Sequence, residues 1–189
     1  SSEDAPDMSD APQLAMRDSV RDSGDQRSRI LSETSQESAV MRRMSAANEE
    51  FKFGRFREAV DAYNETLGIN QETQSLNPTQ VSLIYERMGV SYNKLGLTSG
   101  AVKALRYSVQ EMPGNANSHY QLALAYSVDG KFSNALKALG ESFRNAPSEG
   151  ELRKLMLLAK TDSELDGIRE MPGFKSILGT FQDRLTARR

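Results

Sequence analysis

Chemically versatile side chains are sparse in this sequence. The single histidine is His119, and a notable group of acids is Asp162, Glu164 and Asp166, which alternate along the chain. Alternating carboxylates are typical of the opening of a calcium-binding loop. Here no glutamate closes the loop at the right distance. We therefore expect these acids to be helix-start charges, which the helix dipole favours, and we expect no metal site.

The composition excludes further classes of chemistry. None of the 189 residues is a cysteine, which excludes disulfides, thiolate nucleophiles, Fe–S clusters and Cys-ligated zinc. The sequence contains no phosphate-binding glycine loop, dinucleotide fingerprint, zinc-protease motif or serine-hydrolase elbow. It therefore predicts a non-enzymatic protein with no cofactor. The less favoured alternative is an enzyme, or an accessory subunit of one, that uses carboxylates on a helical scaffold.

Charge and hydropathy argue against two kinds of partner. The chain has 24 basic and 26 acidic side chains, for a net charge of −2, whereas nucleic-acid binding usually needs a basic footprint. The pairs Arg42-Arg43 and Arg188-Arg189 are too short to provide one. The longest apolar run, Leu155–Ala159, falls far below the ~20 residues that span a bilayer. We expect neither a nucleic-acid partner nor a transmembrane segment.

Acidic residues are concentrated at the N-terminus. Residues 1–36 contain eight acids and four arginines, whereas the remainder has a net charge of +2. Large apolar residues are scarce in the same segment, so burial cannot offset the entropy of ordering it. We predict that residues 1–33 form a flexible acidic tail. A short helix from Leu14 to Val20 is compatible with the pattern, but Ser23-Gly24-Asp25 would end it.

The cellular compartment is not fixed by the sequence. The chain begins with two serines followed by acids, which would suit the mature region of an exported bacterial lipoprotein. Otherwise we expect a cytoplasmic protein.

A period of 34 residues runs through the middle of the chain. Gly96 and Ala101 recur as Gly130 and Ala135, and a proline ends each unit. Apolar residues on both sides of each glycine recur at three- and four-residue spacing, which predicts two amphipathic helices joined by a glycine turn. Such self-similarity is typical of repeat architectures, in which each helix pair buries the apolar face of its neighbour.

An earlier and less regular copy precedes these two. It contains Ala59 and Tyr63, and its extra residues fall in a polar loop over residues 68–79. Asn77-Pro78 at the end of that loop predicts a helix start, with an N-cap followed by proline at the first helical position. Thr34-x-x-Glu37 is a capping-box pattern, which predicts that the first helix begins there.

At these positions the chain resembles tetratricopeptide repeat proteins. The resemblance covers residues 38–147 and implies an all-α, right-handed solenoid of three helix pairs, at about 38–70, 80–113 and 114–147. It also places His119 where the repeat packs an aromatic side chain, so we expect a half-buried packing residue. The motif positions are occupied by Gly89, Tyr92, Ala101, Leu105 and Pro113 in the second copy and by Ala123, Tyr126, Ala135, Leu139 and Pro147 in the third.

Residues 148–189 break the period. Ser148-x-x-Glu151 and Thr161-x-x-Glu164 are capping-box patterns, each of which predicts a helix start. This region resembles the segment that closes a group of tetratricopeptide repeats, so we expect helices that cap the last pair and not a second domain. The closing pattern is matched by Leu165, Ile168, Arg169, Pro172 and Phe174.

The resemblance also implies a binding groove, lined by the first helix of each pair. Amide side chains there would bond a peptide backbone and apolar ones would hold its side chains. The charges would be mildly basic, with Glu86 as the exception. The implied groove residues are Met44, Asn48, Phe51 and Lys52, then Arg87, Val90, Asn93 and Lys94, and finally Asn117, Tyr120, Gln121 and Leu124.

The residues do not fit one known use of this fold, the clamp for chaperone C-terminal carboxylates. That clamp needs lysine, asparagine and arginine at five positions, which here hold Met44, Asn48, Arg87, Asn117 and Gln121, and only Asn48 matches. We therefore expect an adaptor that binds a different peptide or helix of a partner protein. The alternative is a self-assembling scaffold, a homo-oligomer formed through the solenoid ends or through the tail, whose charge is opposite to that of the repeats.

Overall fold

The computed structural model describes residues 11–187, with side chains from Gly24 onward except that of Glu37. Within that range all regular structure is helical. A single turn of 3-10 helix, Ser163–Leu165, precedes the four-residue helix Asp166–Arg169. The helices are α1 (Ala11–Lys52), α2 (Phe56–Thr73), α3 (Pro78–Lys94), α4 (Thr98–Glu111), α5 (Ala116–Val128), α6 (Phe132–Arg144), α7 (Glu149–Thr161), α8 (Asp166–Arg169) and α9 (Pro172–Thr186).

Three glycines close the three helix pairs α1–α2, α3–α4 and α5–α6. Gly54, Gly96 and Gly130 have φ values of 72°, 70° and 70°. This left-handed conformation strains any residue with a Cβ atom. The same turn geometry thus occurs three times, at Gly96 and Gly130 with the spacing of the 34-residue period and at Gly54 in the less regular first copy.

Small residues set the distance between paired helices. A Cβ atom at Gly89 on α3 would lie 2.3 Å from Cγ of Leu105 on α4, which is closer than packed atoms approach. Ala59, Ala101 and Ala135, one on the second helix of each pair, are completely buried. Close packing at these points explains why the repeat requires small side chains.

The apolar core consists of two clusters that follow the order of the chain. One contains residues of α1 to α4, and the other runs from α4 to α9. The C-terminal helices extend the second cluster, since Phe143 on α6 and Phe181 on α9 meet edge to face with ring centroids 5.5 Å apart. Leu165 and Ile168 are completely buried there. This burial is what a cap requires, and the division of the chain into tail, repeats and cap stays a prediction.

Helix starts agree with the capping patterns in part. Asn77 forms a full capping box with Gln80 at the start of α3, and the Ser148 hydroxyl accepts from the backbone N–H of Glu151 at the start of α7. The pattern at Thr161 was wrong as a helix start. Thr161 ends α7, and its hydroxyl donates back to the carbonyl of Leu157.

The predicted start of the first helix was also wrong. Helix α1 begins at Ala11 and continues through Gly24, and the Thr34 hydroxyl donates to the carbonyl of Ile30 within the helix. Residues 1–10 of the predicted tail lie outside the described range. Residues 24–36 are all exposed, so only interactions within the helix stabilise this stretch. Because none of its side chains is buried, the sequence shows no apolar periodicity from which the helix could be predicted.

Candidate functional site

The first helices of the three pairs form one layer. Helix α3 packs against both α1 and α5, whereas a furrow separates the second helices α2 and α4. Because α1, α3 and α5 are closer together, their layer lies on the inside of the solenoid curve. We call it the inner layer, and all twelve sequence-predicted groove residues lie on its helices.

Asn48 joins the first and second pairs. Its Oδ1 atom accepts a hydrogen bond from the buried hydroxyl of Tyr63 at 2.7 Å and a second one from the guanidinium of Arg87. The Arg87 guanidinium also lies over the ring of Phe51, 5.7 Å from its centroid, in a cation–π arrangement. Burial raises the pKa of Tyr63, so its hydroxyl stays protonated and donates. Two of the predicted groove residues, Asn48 and Arg87, therefore hold each other in place.

Glu86 has a more specific environment than the sequence suggested. Its two carboxylate oxygens accept from the side-chain amides of Asn115 at 2.6 Å and Asn117 at 2.7 Å. The hydroxyl of Ser118 lies 3.4 Å from the same carboxylate. Asn117 is consequently engaged with Glu86 and is not free to bind a peptide backbone in this arrangement.

A second pair of amides links α3 to α5. The Nδ2 atom of Asn93 donates to both the backbone and the side-chain oxygen of Gln121, each at 3.2 Å. Each of the four amides that were predicted to bind a ligand thus has a hydrogen-bond partner within the protein, and two of them, Asn93 and Gln121, bond each other. A surface arranged in this way is preorganised, because its polar groups already have fixed partners.

The C-terminal segment covers the inner layer at α5, which corrects the predicted roles of two residues. Tyr120 and Leu124 are only 2% and 6% exposed, so neither can hold a ligand side chain. The hydroxyl of Tyr120 donates to Oδ2 of Asp162, at 3.1 Å, just before the 3-10 turn that packs on α5. Sequence reasoning missed this contact because it joins residues 42 positions apart.

Asp162 and Glu164 form an acidic pair beside Tyr120. A hydrogen bond with Asp162 and partial burial raise the pKa of the Glu164 carboxyl, against the opposing effect of Lys94. Burial and the same aspartate raise the pKa of Tyr120. The Arg169 guanidinium donates to the backbone carbonyl of Asp162. Asp162 and Glu164 thus lie at the start of the 3-10 turn and Asp166 in the first turn of α8, as the sequence predicted. Asp162 has a further role, since it also bonds Tyr120 on α5.

Five of the twelve predicted groove residues, all on α1 and α3, are neither fully buried nor hydrogen-bonded through their side chains to another residue described above. The apolar members of this set are half-buried, and its two lysines are exposed. Neither lysine forms an ion pair within the described part of the chain. We call this the open strip, and it consists of Met44, Phe51, Lys52, Val90 and Lys94.

His119 lies on α5 and is not part of the open strip. Its Nε2 atom is 2.8 Å from the backbone carbonyl of Pro113, and the side chain is half-buried. Among residues 11–187, no three His, Asp or Glu side chains are grouped closely enough to hold a metal ion. No helix in the same range is long and apolar enough to cross a membrane.

Comparison with known proteins supports the architecture. No family model matches the chain, and no curated protein matches it. Among solved structures, the crystal structure of MamA, a helical repeat protein of the tetratricopeptide type, matches with a TM-score of 0.54 and 17% sequence identity. The match covers 89% of this chain and 96% of MamA. At this identity the likeness shows the fold alone, an all-α helical repeat solenoid.

Proposed function

We propose that this chain is a non-enzymatic adaptor whose open strip binds a peptide or helix of another protein. The observation that carries the proposal is the combination at the strip of half-buried apolar side chains with two exposed lysines that form no ion pair within the described part of the chain. Apolar side chains supply most of the binding energy at such surfaces, and the charges supply orientation.

The rigidity of the surroundings favours binding. Arg87 is held by Asn48 and stacks on Phe51, so the central aromatic ring of the strip is fixed before any ligand arrives. Binding then costs little side-chain entropy. Met44 adds an adaptable apolar contact. The best-fitting ligand is an amphipathic segment with apolar anchors and at least one acidic group placed to meet Lys52 or Lys94.

A displayed library of random peptides tests this proposal. We expect the wild-type protein to select peptides that combine apolar and acidic residues. Val90→Arg adds charge and bulk at the centre of the strip, and it should abolish that selection while the circular dichroism spectrum stays unchanged. Leu157→Arg on α7 is the matched control, because Leu157 is also apolar and 63% exposed but lies outside the inner layer. Equal selection by wild type and Val90→Arg would refute the proposal.

The alternative of an enzyme has less support. The acidic pair Asp162 and Glu164 is the feature closest to acid–base chemistry, and its hydrogen bonds go to Tyr120 and within the pair. Groups engaged in this way stabilise the contact between α5 and the C-terminal segment.

A further inference from the structure

The outer side of the solenoid has a furrow along α4. A cavity of about 730 Å³ is lined by α4 and by the turn between α5 and α6. A neighbouring cavity of about 400 Å³ lies between α2, α3 and α4. Lys103 and Tyr107 line both cavities, so the two are continuous along one face of α4. We call this surface the outer furrow.

The outer furrow combines positive charge with an apolar and aromatic floor. Lys103 and Arg106 are exposed, and neither forms an ion pair with any other residue in the described range. Tyr107 is 43% exposed and stacks on Tyr85, with ring centroids 5.0 Å apart. Val102 contributes a half-buried apolar surface beside them. These features suit an acidic, partly apolar segment, because cations on the walls attract acids and the floor accepts methyl and methylene groups.

The chain itself contains a segment of that chemistry. Residues 1–23 include six acids and two arginines, and they also contain Leu14, Met16 and Val20. From residue 37 onward the chain has a net charge of +2. The charge of the N-terminal segment is thus complementary to that of the outer furrow, and the attraction acts over about 10 Å at ordinary ionic strength.

The long helix α1 carries this segment away from the helix pairs of its own chain. Val40 is the first completely buried residue of α1 in the described part, and Gly24 precedes it by 16 positions, which is about 24 Å of helix. Residues 24–36 are exposed all the way, with Ile30 and Leu31 at 54% and 71%. Because α1 is one continuous helix, residues 11–23 cannot reach α4 of the same chain unless the helix breaks.

We propose that the outer furrow binds the acidic N-terminal segment, residues 1–23, of a second copy of this chain. Acids of the segment pair with Lys103 and Arg106, and its apolar residues lie on Tyr107 and Val102. A helix that is polar on all sides has little stability by itself in water, because it buries no apolar face. The proposed contact would therefore also stabilise the exposed part of α1. The inference does not depend on the proposed function, since the outer furrow and the open strip have no residue in common.

Sedimentation velocity of the full-length protein over a wide range of concentrations tests this inference. We expect the mass of the wild type to rise with concentration, and to rise less at high salt. Lys103→Glu with Arg106→Glu should weaken association about tenfold or more, as expected for like charges across an interface. The matched control is Arg57→Glu with Lys160→Glu, which reverses two exposed cations elsewhere and should associate as the wild type does.

Two further experiments test whether the N-terminal segment is what binds in the outer furrow. A synthetic peptide of residues 1–23 should dissociate wild-type assemblies, and the same peptide with its six acids replaced by amides should not. A variant with Asp18→Lys and Asp22→Lys should fail to self-associate but should associate with the Lys103→Glu, Arg106→Glu variant. A wild type that stays monomeric, or a Lys103→Glu, Arg106→Glu variant that associates normally, would overturn the inference. Val90→Arg should leave self-association intact, which separates this result from failure of the proposed function.

Discussion

The hydroxyl of Tyr120 on α5 donates to the carboxylate of Asp162 across 3.1 Å, and this bond joins the third helix pair to the C-terminal cap. Tyr120 is 2% exposed. Its position on the inner layer, which the sequence predicted as part of a ligand site, is therefore part of the interface between repeat and cap.

Tyr120→Phe is expected to lower the free energy of unfolding by about 1–3 kcal/mol, because it leaves the Asp162 carboxylate without this donor. Urea denaturation followed by circular dichroism measures the loss. Tyr107→Phe is the control, since Tyr107 is 43% exposed and lies away from Asp162 on α4. Similar stabilities for the two variants would show that the bond to Asp162 contributes nothing.

Gly89→Ala should destabilise the protein by about 1–3 kcal/mol through overpacking. The new methyl group would meet the branched end of Leu105 at 2.3 Å. Gly179→Ala on α9 is a matched change, because Gly179 is helical and nothing lies within 4 Å of an added Cβ atom. That variant should gain up to about 1 kcal/mol from helix propensity. Thermal denaturation compares the two, and a neutral Gly89→Ala would mean that α3 and α4 separate easily.

Asn48→Ala should cost about 1–3 kcal/mol, since it removes the acceptor of the buried Tyr63 hydroxyl and releases Arg87. The same variant should weaken any peptide selected by the open strip, because Arg87 would no longer be held over Phe51. Asn64→Ala, at an exposed position of α2, is the control. Unchanged stability and unchanged peptide affinity together would contradict the role assigned to Asn48.

The stability of the cap should depend on pH through Glu164. Its pKa is raised above the ordinary 4.5, first by the hydrogen bond with Asp162 and then by burial, while Lys94 opposes the shift. The folded state therefore binds this proton more tightly than the unfolded state does. The stabilisation is fully present below the ordinary pKa and is lost as pH rises through the raised value.

Glu164→Gln keeps a neutral side chain at all pH values. The stability of the wild type relative to this variant should therefore fall as pH rises above 4.5. Urea denaturation at a series of pH values measures the difference, with exposed Glu72→Gln on α2 as the control. A constant difference between wild type and Glu164→Gln would rule out the proton shared with Asp162.

The repeat core could be predicted because its determinants are local and periodic. Gly96 and Gly130 mark turns with a required backbone conformation, and Ala101 and Ala135 mark close helix contacts, each 34 residues apart. Each of these requirements restricts which residue types can occupy the position, so the sequence shows it directly. The all-α repeat fold followed from them.

The site could be predicted only as a set of positions. Met44, Phe51 and Val90 lie on the inner layer as expected, but the engagement of Asn93 with Gln121 depends on how two helices are aligned, which spacing along one helix does not specify. The burial of Leu124 in a core cluster that runs from α4 to α9 is equally non-local. The exposed N-terminal part of α1 could not be predicted from the sequence, because an unburied helix has no apolar stripe.

The two ends of the inner layer differ. At α5 the Tyr120–Asp162 contact and the 3-10 turn close it, whereas at α1 the open strip continues to the exposed side chains of Lys52 and Phe53. The surface therefore has a direction. A polypeptide that binds there as we propose would meet the C-terminal segment at α5 and no such barrier at α1, so its two orientations would not be equivalent.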